Sequence, residues 1–316
     1  MRGTCPICVG SDFEFKGVYR GAHPAFIGMK RAHCKTCEMV FADPMPSDLA
    51  MSEFNASYFN NAHGGKPQGA ATLAFFSGIA RLRAAHLEHY LRQNEISVSK
   101  VHEVGPGPGW FARSWMAQHP RTTYSAIETD ASCHAVLREI GVQMAPIGNT
   151  ADAEPVDLVV MTHVLEHVTE PAAFLLESTQ RLRPGGILFI EVPCRDWEHK
   201  PLDEPHLLFF DKGPMQRLLE QVGFDQIQVS YHGQKIEHLR RPSWIRRAWN
   251  GFRNRLIARG IIAPFSRSGP GLESLTALER ATVRPFNAHL EMVQPAWWLR
   301  AVARKTNNSG RRLLPL

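Results

Sequence analysis

Long apolar runs are missing from this sequence. None of its 316 residues belongs to a stretch approaching the ~18 apolar residues of a membrane-spanning helix. The first residues, Met1-Arg2-Gly3-Thr4-Cys5-Pro6, lack the apolar core of a secretory signal. Both absences lead us to expect a cytoplasmic protein. Extreme composition is absent as well. Charged residues make up 21% and hydrophobic ones 44%, as in a soluble globular protein of one large domain or two smaller ones. Charge is unevenly distributed along the chain. Residues 239–316 carry fifteen Arg plus Lys, fourteen of them Arg, against three Glu, a net of +12, while residues 1–238 carry −6.

Cysteine is sparse, six in all, and four of the six pair up by spacing. Cys5-x2-Cys8 and Cys34-x2-Cys37 form two knuckles separated by 25 residues. Each Cys-x-x-Cys turn can aim two thiolates at one tetrahedral Zn²⁺, and two turns complete a closed site with no open position for catalysis. Reduced, metal-bound thiols also suit the cytosol better than disulfides. Cys133 and Cys194 have no partner spacing and read as small core or near-site residues.

A dinucleotide fingerprint is also missing, because its third glycine would fall at position 110, where the chain has Trp. Glu103-Val104-Gly105-Pro106-Gly107-Pro108-Gly109 stands there instead, between an apolar start at Val101 and a segment with helical spacing, Trp110 to Met116. A strand turning through glycines into a helix brings bare backbone close to a ligand. The same glycines can also build an ordinary tight turn. Three further segments follow. Tyr124-Ser125-Ala126-Ile127-Glu128 reads as a strand ending in a carboxylate, 23 residues after Gly105, and such a carboxylate can accept from both hydroxyls of a ribose. Val156 to Thr162 is a buried-strand run that leads into His163-Val164-Leu165-Glu166-His167. Leu182-Arg183-Pro184-Gly185-Gly186 reads as a helix end and turn before another strand, Ile187 to Pro193. Alternating strands and helices imply a parallel doubly wound sheet with ligands at the strands' carboxyl ends.

The acidic-x-Gly-x-Gly-x-Gly pattern resembles motif I of class I S-adenosylmethionine (SAM)-dependent methyltransferases. The four segments together resemble that family over about residues 100–231. The run His163-x-x-Glu166-His167 also matches an inverted zinc-protease pattern. That pattern needs a long helix, and Pro171 closes this segment four residues after His167. The resemblance implies an α/β, Rossmann-like fold that binds SAM. Gly105, Gly107 and Gly109 would let the backbone approach the cofactor, Glu103 would bind its amino end, and Glu128 would hold the ribose. Asn149 is assigned to the adenine side, and Thr162 and His163 to the neighbourhood of the sulfonium. His206, in Glu204-Pro205-His206-Leu207-Leu208-Phe209-Phe210, matches the setting of a histidine near the acceptor in related sugar enzymes. It reads as a general base or as a residue holding its loop. Tyr58 either reaches the methionine end of the cofactor or simply packs.

The second knuckle, Arg31 to Pro44, resembles the zinc ribbon ahead of some bacterial methyltransferases, including sugar C-methyltransferases and enzymes of polysaccharide and natural-product pathways. Those sugar enzymes usually carry a second nucleotide-fold domain, for which this chain is too short, and that weighs against C-methylation. The expected organisation is a zinc ribbon over 1–46, a helical bridge covering the cofactor over 47–99 and a SAM-binding core over 100–231. A basic helical insertion over 232–295 and a last strand with tail over 296–316 complete it; residues 296–305 fit a strand or a helix. Between 242 and 260, Trp244, Ile245, Ala248, Trp249, Phe252 and Leu256 recur at helical spacing, with Arg246, Arg247, Arg253 and Arg255 largely off that stripe. Such a helix suits an anionic membrane surface, a lipid-linked acceptor, a protein partner, or packing on its own domain. Three functions are weighed. The first is methyl transfer, with oxygen slightly favoured, to a sugar, glycan precursor or secondary metabolite. RNA methylation, through the zinc ribbon and the arginine-rich segment, is the second, disfavoured because the ribbon is not notably basic and its knuckles lack a stacking aromatic pair. The third is a non-catalytic SAM-binding scaffold.

Overall fold

In the computed structural model the chain is described over residues 3–58, 69–146, 154–241, 243–259 and 291–306. Phe13–Val18 (β1), Lys30–Cys34 (β2) and Val40–Asp43 (β3) come first, followed by the helices Asp48–Ala56 (α1) and Ala70–Gln93 (α2). The alternating region runs Lys100–Val104 (β4), Trp110–Gln118 (α3), Thr123–Ile127 (β5), His134–Glu139 (α4) and Gln143–Met144 (β6). It continues with Val156–Thr162 (β7), Pro171–Ser178 (α5) and Leu182–Pro193 (β8). Leu208–Phe209 (β9), Lys212–Gln221 (α6), Phe224–Lys235 (β10), Ile236–Arg240 (α7), Trp244–Ala258 (α8) and Ala296–Lys305 (β11) close the order.

Seven strands form the central sheet in the order β6-β5-β4-β7-β8-β11-β10. The first five are parallel, and β11 lies antiparallel between β8 and β10. Residues 296–305 are therefore a strand: their apolar side chains fill a slot flanked by backbone on both sides. Strands β7 and β8 are apolar almost throughout because helices cover both sheet faces. On one face Phe111, Trp115, Leu137 and Phe189 pack together; on the other Leu165, Ile190, Leu207 and Phe210 do.

One local expectation is corrected. Leu182 does not end a helix. The helix stops at Ser178, and Leu182 already pairs with Val156, while Leu158 pairs with Ile187. Residues 183–186 therefore bulge out of β8, where Arg183 Nε reaches Asp157 at 2.7 Å. Leu208 and Phe209 form a strand of the other sheet, β1-β2-β3-β9. Val40 pairs with Phe209 and Phe41 with Leu208, so the N-terminal meander shares a sheet and a core with the central segment.

Helix α8 touches α2. Trp244, Ile245 and Phe252 on it remain exposed, at 77%, 61% and 52%. Among the described residues no helix is long and apolar enough to cross a membrane.

Candidate functional site

The glycine-rich loop leaves β4 at its carboxyl end. Gly105, Gly107 and Gly109 all have φ in the left-handed region, at +66°, +55° and +77°. A Cβ on Gly105 would meet Val164 Cγ2 at 2.6 Å, and one on Gly109 would meet Ile140 Cδ1 at 2.8 Å. At Gly107 nothing lies within 4 Å, so this is the point where the loop opens its backbone. A cavity of about 380 Å³ lies there, walled by Gly105, Gly107 and Glu128 on one side and by Tyr58, His163 and His167 on another.

Glu128 follows β5 and is buried. Its Oε2 accepts from Gly107 N–H and its Oε1 from Asp130 N–H, each at 2.8 Å. Each oxygen keeps a lone pair for a further donor. Ile127 and Thr129 flank the carboxylate on the cavity wall, as does Cys133. Burial and the neighbouring Glu128 charge push the Cys133 thiol up to about 11, so it is no nucleophile near neutrality. Glu103 is fully buried and is not a wall residue; burial raises its carboxyl to about 7 although Tyr124 Oη donates to Oε2 at 2.7 Å. Its Oε1 is left without a partner among the described residues.

His163 sits directly after β7 with φ +58°, an uncommon conformation for a non-glycine residue. Its Nδ1 lies 3.2 Å from Glu166 Oε1 and its Nε2 3.4 Å from Glu191 Oε1. Burial disfavours its charge, but the two carboxylates outweigh that and raise its pKa. Glu191 is itself clamped by two arginines: Arg83 Nε reaches Oε1 at 2.7 Å and Arg300 Nε reaches Oε2 at 2.6 Å. Thr162 is half-buried at the end of β7, beside Glu191 in register but off the cavity wall.

His206 is buried and does not touch the cavity; His167 stands at the wall, the two rings 4.8 Å apart. His206 Nδ1 pairs with Asp196 Oδ2 at 2.6 Å. Tyr58 stacks edge-on against His167, with centroids 5.4 Å apart. The loop carrying His206 is held by the N-terminal sheet. Asp203 receives Arg20 Nε at 3.1 Å and Arg31 Nη1 at 2.6 Å, and Glu204 Oε2 accepts from Ala22 and His23 N–H. Tyr19 Oη donates to the His206 carbonyl at 3.0 Å.

Cys5, Cys8, Cys34 and Cys37 converge, with Sγ–Sγ distances of 3.5 Å for Cys5–Cys37 and 3.4 Å for Cys8–Cys34. These are far beyond a disulfide's ~2.05 Å and close to the ~3.7 Å edge of a tetrahedron with 2.3 Å Zn–S bonds. The residue after each knuckle, Val9 and Glu38, takes the left-handed conformation, giving the two turns the same shape. Four convergent thiols without an open face fit one structural Zn²⁺.

Residues 76–229 match the family described as "Methyltransferase domain". Among curated relatives, the trans-aconitate 2-methyltransferase of Azoarcus sp. (strain BH72) is 29% identical over 97 residues, covering 29% of this chain and 38% of the relative. The ubiquinone biosynthesis O-methyltransferase of Parvibaculum lavamentivorans is 38% identical over 65 residues, 19% of this chain and 25% of the relative. The chain thus spans well under half the length of these relatives. A solved SAM-dependent methyltransferase of Thermotoga maritima aligns with TM-score 0.47 and 14% identity over 80% of this chain and 98% of the other.

Of the residues named from the sequence, the methyltransferase domain gathers Gly105, Gly107, Glu128, His163 and, from α1's end, Tyr58 around one cavity. Gly109 buttresses the loop, Glu103 and Thr162 lie behind the wall, and His206 lies behind His167. Asn149 falls outside the described residues. Sequence reasoning passed over Arg83, Glu191 and Arg300 as a set, and Asp196. Each of the first three is a charge set among apolar neighbours: Arg83 shares a helix face with Ile79 and Leu87, and Glu191 and Arg300 interrupt strand runs and face each other in register.

His102, on β4, also lines the cavity, and burial followed by the charge of Arg181 lowers its pKa to about 4. The unfolded value is near 6.5, so the folded state binds fewer protons between these limits. Its contribution to stability is complete above pH 6.5 and is lost as pH falls toward 4, by about 3 kcal/mol. Denaturant unfolding from pH 7 to pH 4 should show this slope, flattened in His102→Gln. Parallel curves for the two proteins would refute the assignment.

Proposed function

We propose that this chain transfers a methyl group from SAM to a small-molecule or glycan acceptor, a sugar, polysaccharide precursor or secondary metabolite, oxygen being the favoured atom. The observation that carries the reading is the juxtaposition of Gly107's open backbone and the Glu128 carboxylate on one wall with His163 and His167 on another. SAM supplies an electrophilic methyl on a sulfonium. The protein's work is to hold the acceptor in line with it and to take up the acceptor's proton. Glu128 accepts from the ribose hydroxyls, and the unpartnered Glu103 Oε1 suits the ammonium at the other end. Thr162 and His163 stand near the sulfonium, and Asn149 is assigned to the adenine side. For a hydroxyl acceptor the general base is His206, held by Asp196, with His167 passing the proton from the cavity. That relay is required because His206 itself is not on the wall. Zn²⁺ in the four-cysteine site is structural.

Label from methyl-tritiated SAM, incubated with the protein and fractionated cell extract, should enter a small-molecule or glycan fraction. Label in RNA alone would favour the RNA reading. Binding of SAM without transfer to any fraction would favour the scaffold.

The exposure of Trp244, Ile245 and Phe252 on a basic helix supports docking of residues 242–260 to an anionic membrane surface or lipid-linked acceptor at the cytoplasmic face. Trp244→Ala with Phe252→Ala should reduce co-sedimentation with anionic liposomes several-fold, and salt should do the same to the wild type. Equal pelleting of both proteins would reduce the helix to a cap on its own domain.

A further inference from the structure

Three buried side chains outside the expected cofactor contacts point acceptor atoms at one another. His167 Nδ1 pairs with the Pro205 carbonyl at 3.1 Å and His206 Nδ1 with Asp196 Oδ2 at 2.6 Å. Both rings therefore carry their proton on Nδ1 and present the Nε2 lone pair elsewhere. Neither oxygen of Glu166 receives a hydrogen bond, and His167 Nε2 has no partner, although both residues are buried, at 1% and 7% exposure. Only Oε1 of Glu166 has a charged neighbour, His163 Nδ1 at 3.2 Å, which is not aligned for a hydrogen bond. One donor atom from each of Glu166, His167 and His206 lies within 4.8 Å of the other two, and His167 Nε2 is 3.8 Å from Glu166 Oε1. Unpartnered acceptor atoms of Glu166 and His167 this close in a buried space, with His206 beside them, repel unless a positive charge sits between them.

We propose that Glu166, His167 and His206 bind a divalent first-row transition ion of the zinc class at the edge of the cavity. Two imidazoles and one carboxylate are the ligand set of an open zinc site, with the remaining position left for water or a substrate oxygen. The partners of both Nδ1 atoms are what metal-bound histidines use to fix their ring orientation. An ion with ~2.1 Å bonds needs ligand atoms about 3.4 Å apart, so a shift of about 1 Å in one side chain completes the site. His167 lines the cavity, and an ion held there borders the acceptor. It would lower the pKa of a bound hydroxyl, taking over the task otherwise given to His206 as a base. The ligands are not those of the protease pattern, which needs His163: its ring lies between Glu166 and Glu191, and the convergent set is Glu166, His167 and His206. The proposal concerns metal binding and stands apart from the methyl-transfer reading.

The test is cobalt titration of the full-length protein after metal stripping under reducing conditions. Two Co²⁺ per chain are expected, one with thiolate charge-transfer absorption and one with visible ligand-field bands alone. Cys5→Ala with Cys37→Ala should remove the first. Glu166→Gln, which preserves side-chain size, should weaken the second at least about tenfold and leave the first. A wild type that binds one ion only, through thiolates, would overturn the proposal and leave a shared proton as the charge between the histidines and Glu166. So would Glu166→Gln binding the second ion as tightly as wild type. Should Glu166→Gln misfold, the wild-type stoichiometry decides alone.

Discussion

Replacing Glu128 by Ala is expected to weaken SAM binding by more than about tenfold while the protein stays folded. A hydrogen bond to a charged group contributes about 1.5–3 kcal/mol, and 1.4 kcal/mol is already a factor of ten in affinity. Ala removes the proposed acceptors for the ribose hydroxyls. It also removes the carboxylate that holds the Gly107 and Asp130 N–H groups, so the loop loses the restraint that keeps its backbone open. Gln retains one oxygen and should lose less than Ala. Calorimetry with all three proteins reads the series directly, and an unchanged affinity in Glu128→Ala would remove the cofactor assignment.

Disrupting the four-cysteine site is expected to slow methyl transfer by about tenfold to a hundredfold and to leave SAM affinity nearly unchanged. The reason lies in where the N-terminal sheet is anchored. Its strand β3 pairs with β9, its Tyr19 and Arg20 hold residues 203–206, and its Ala42 N–H donates to the Leu207 carbonyl. Leu207 N–H in turn donates to the Glu166 carbonyl, so the same five residues tie the sheet to the acceptor side of the cavity. None of these contacts reaches Glu128 or the glycine loop. Loss of zinc from a small closed site unfolds the segment it staples. Cys5→Ala with Cys37→Ala avoids chelators, which would also strip any second ion. Full activity in that variant would show that the N-terminal segment is not needed to position His206, whereas equal loss of SAM affinity would show that it supports the whole fold.

The central sheet was legible because a parallel strand buried on both faces must be apolar throughout, and Val156 to Thr162 and Ile187 to Pro193 read that way at once. The glycine loop was legible because three left-handed positions at alternate residues admit little but glycine. Less legible was anything set by contacts between distant segments. Leu208 and Phe209 are too short to announce a strand, and their partner β3 lies about 170 residues earlier. The bulge at 183–186 mimics a helix-ending turn because Pro-Gly-Gly serves both. The buried cluster of Arg83, Glu191 and Arg300 left one trace, a charge set within an apolar stretch of each of three elements. That trace predicts burial, yet only the register of β8 and β11 says which charges meet. His206 came from resemblance alone, and its separation from the cavity by His167 has no counterpart in spacing.

Titration of SAM into the full-length protein by calorimetry tests the central claim most directly. The account predicts one binding site per chain, competed by S-adenosylhomocysteine. Absence of binding at millimolar SAM by folded protein would contradict it.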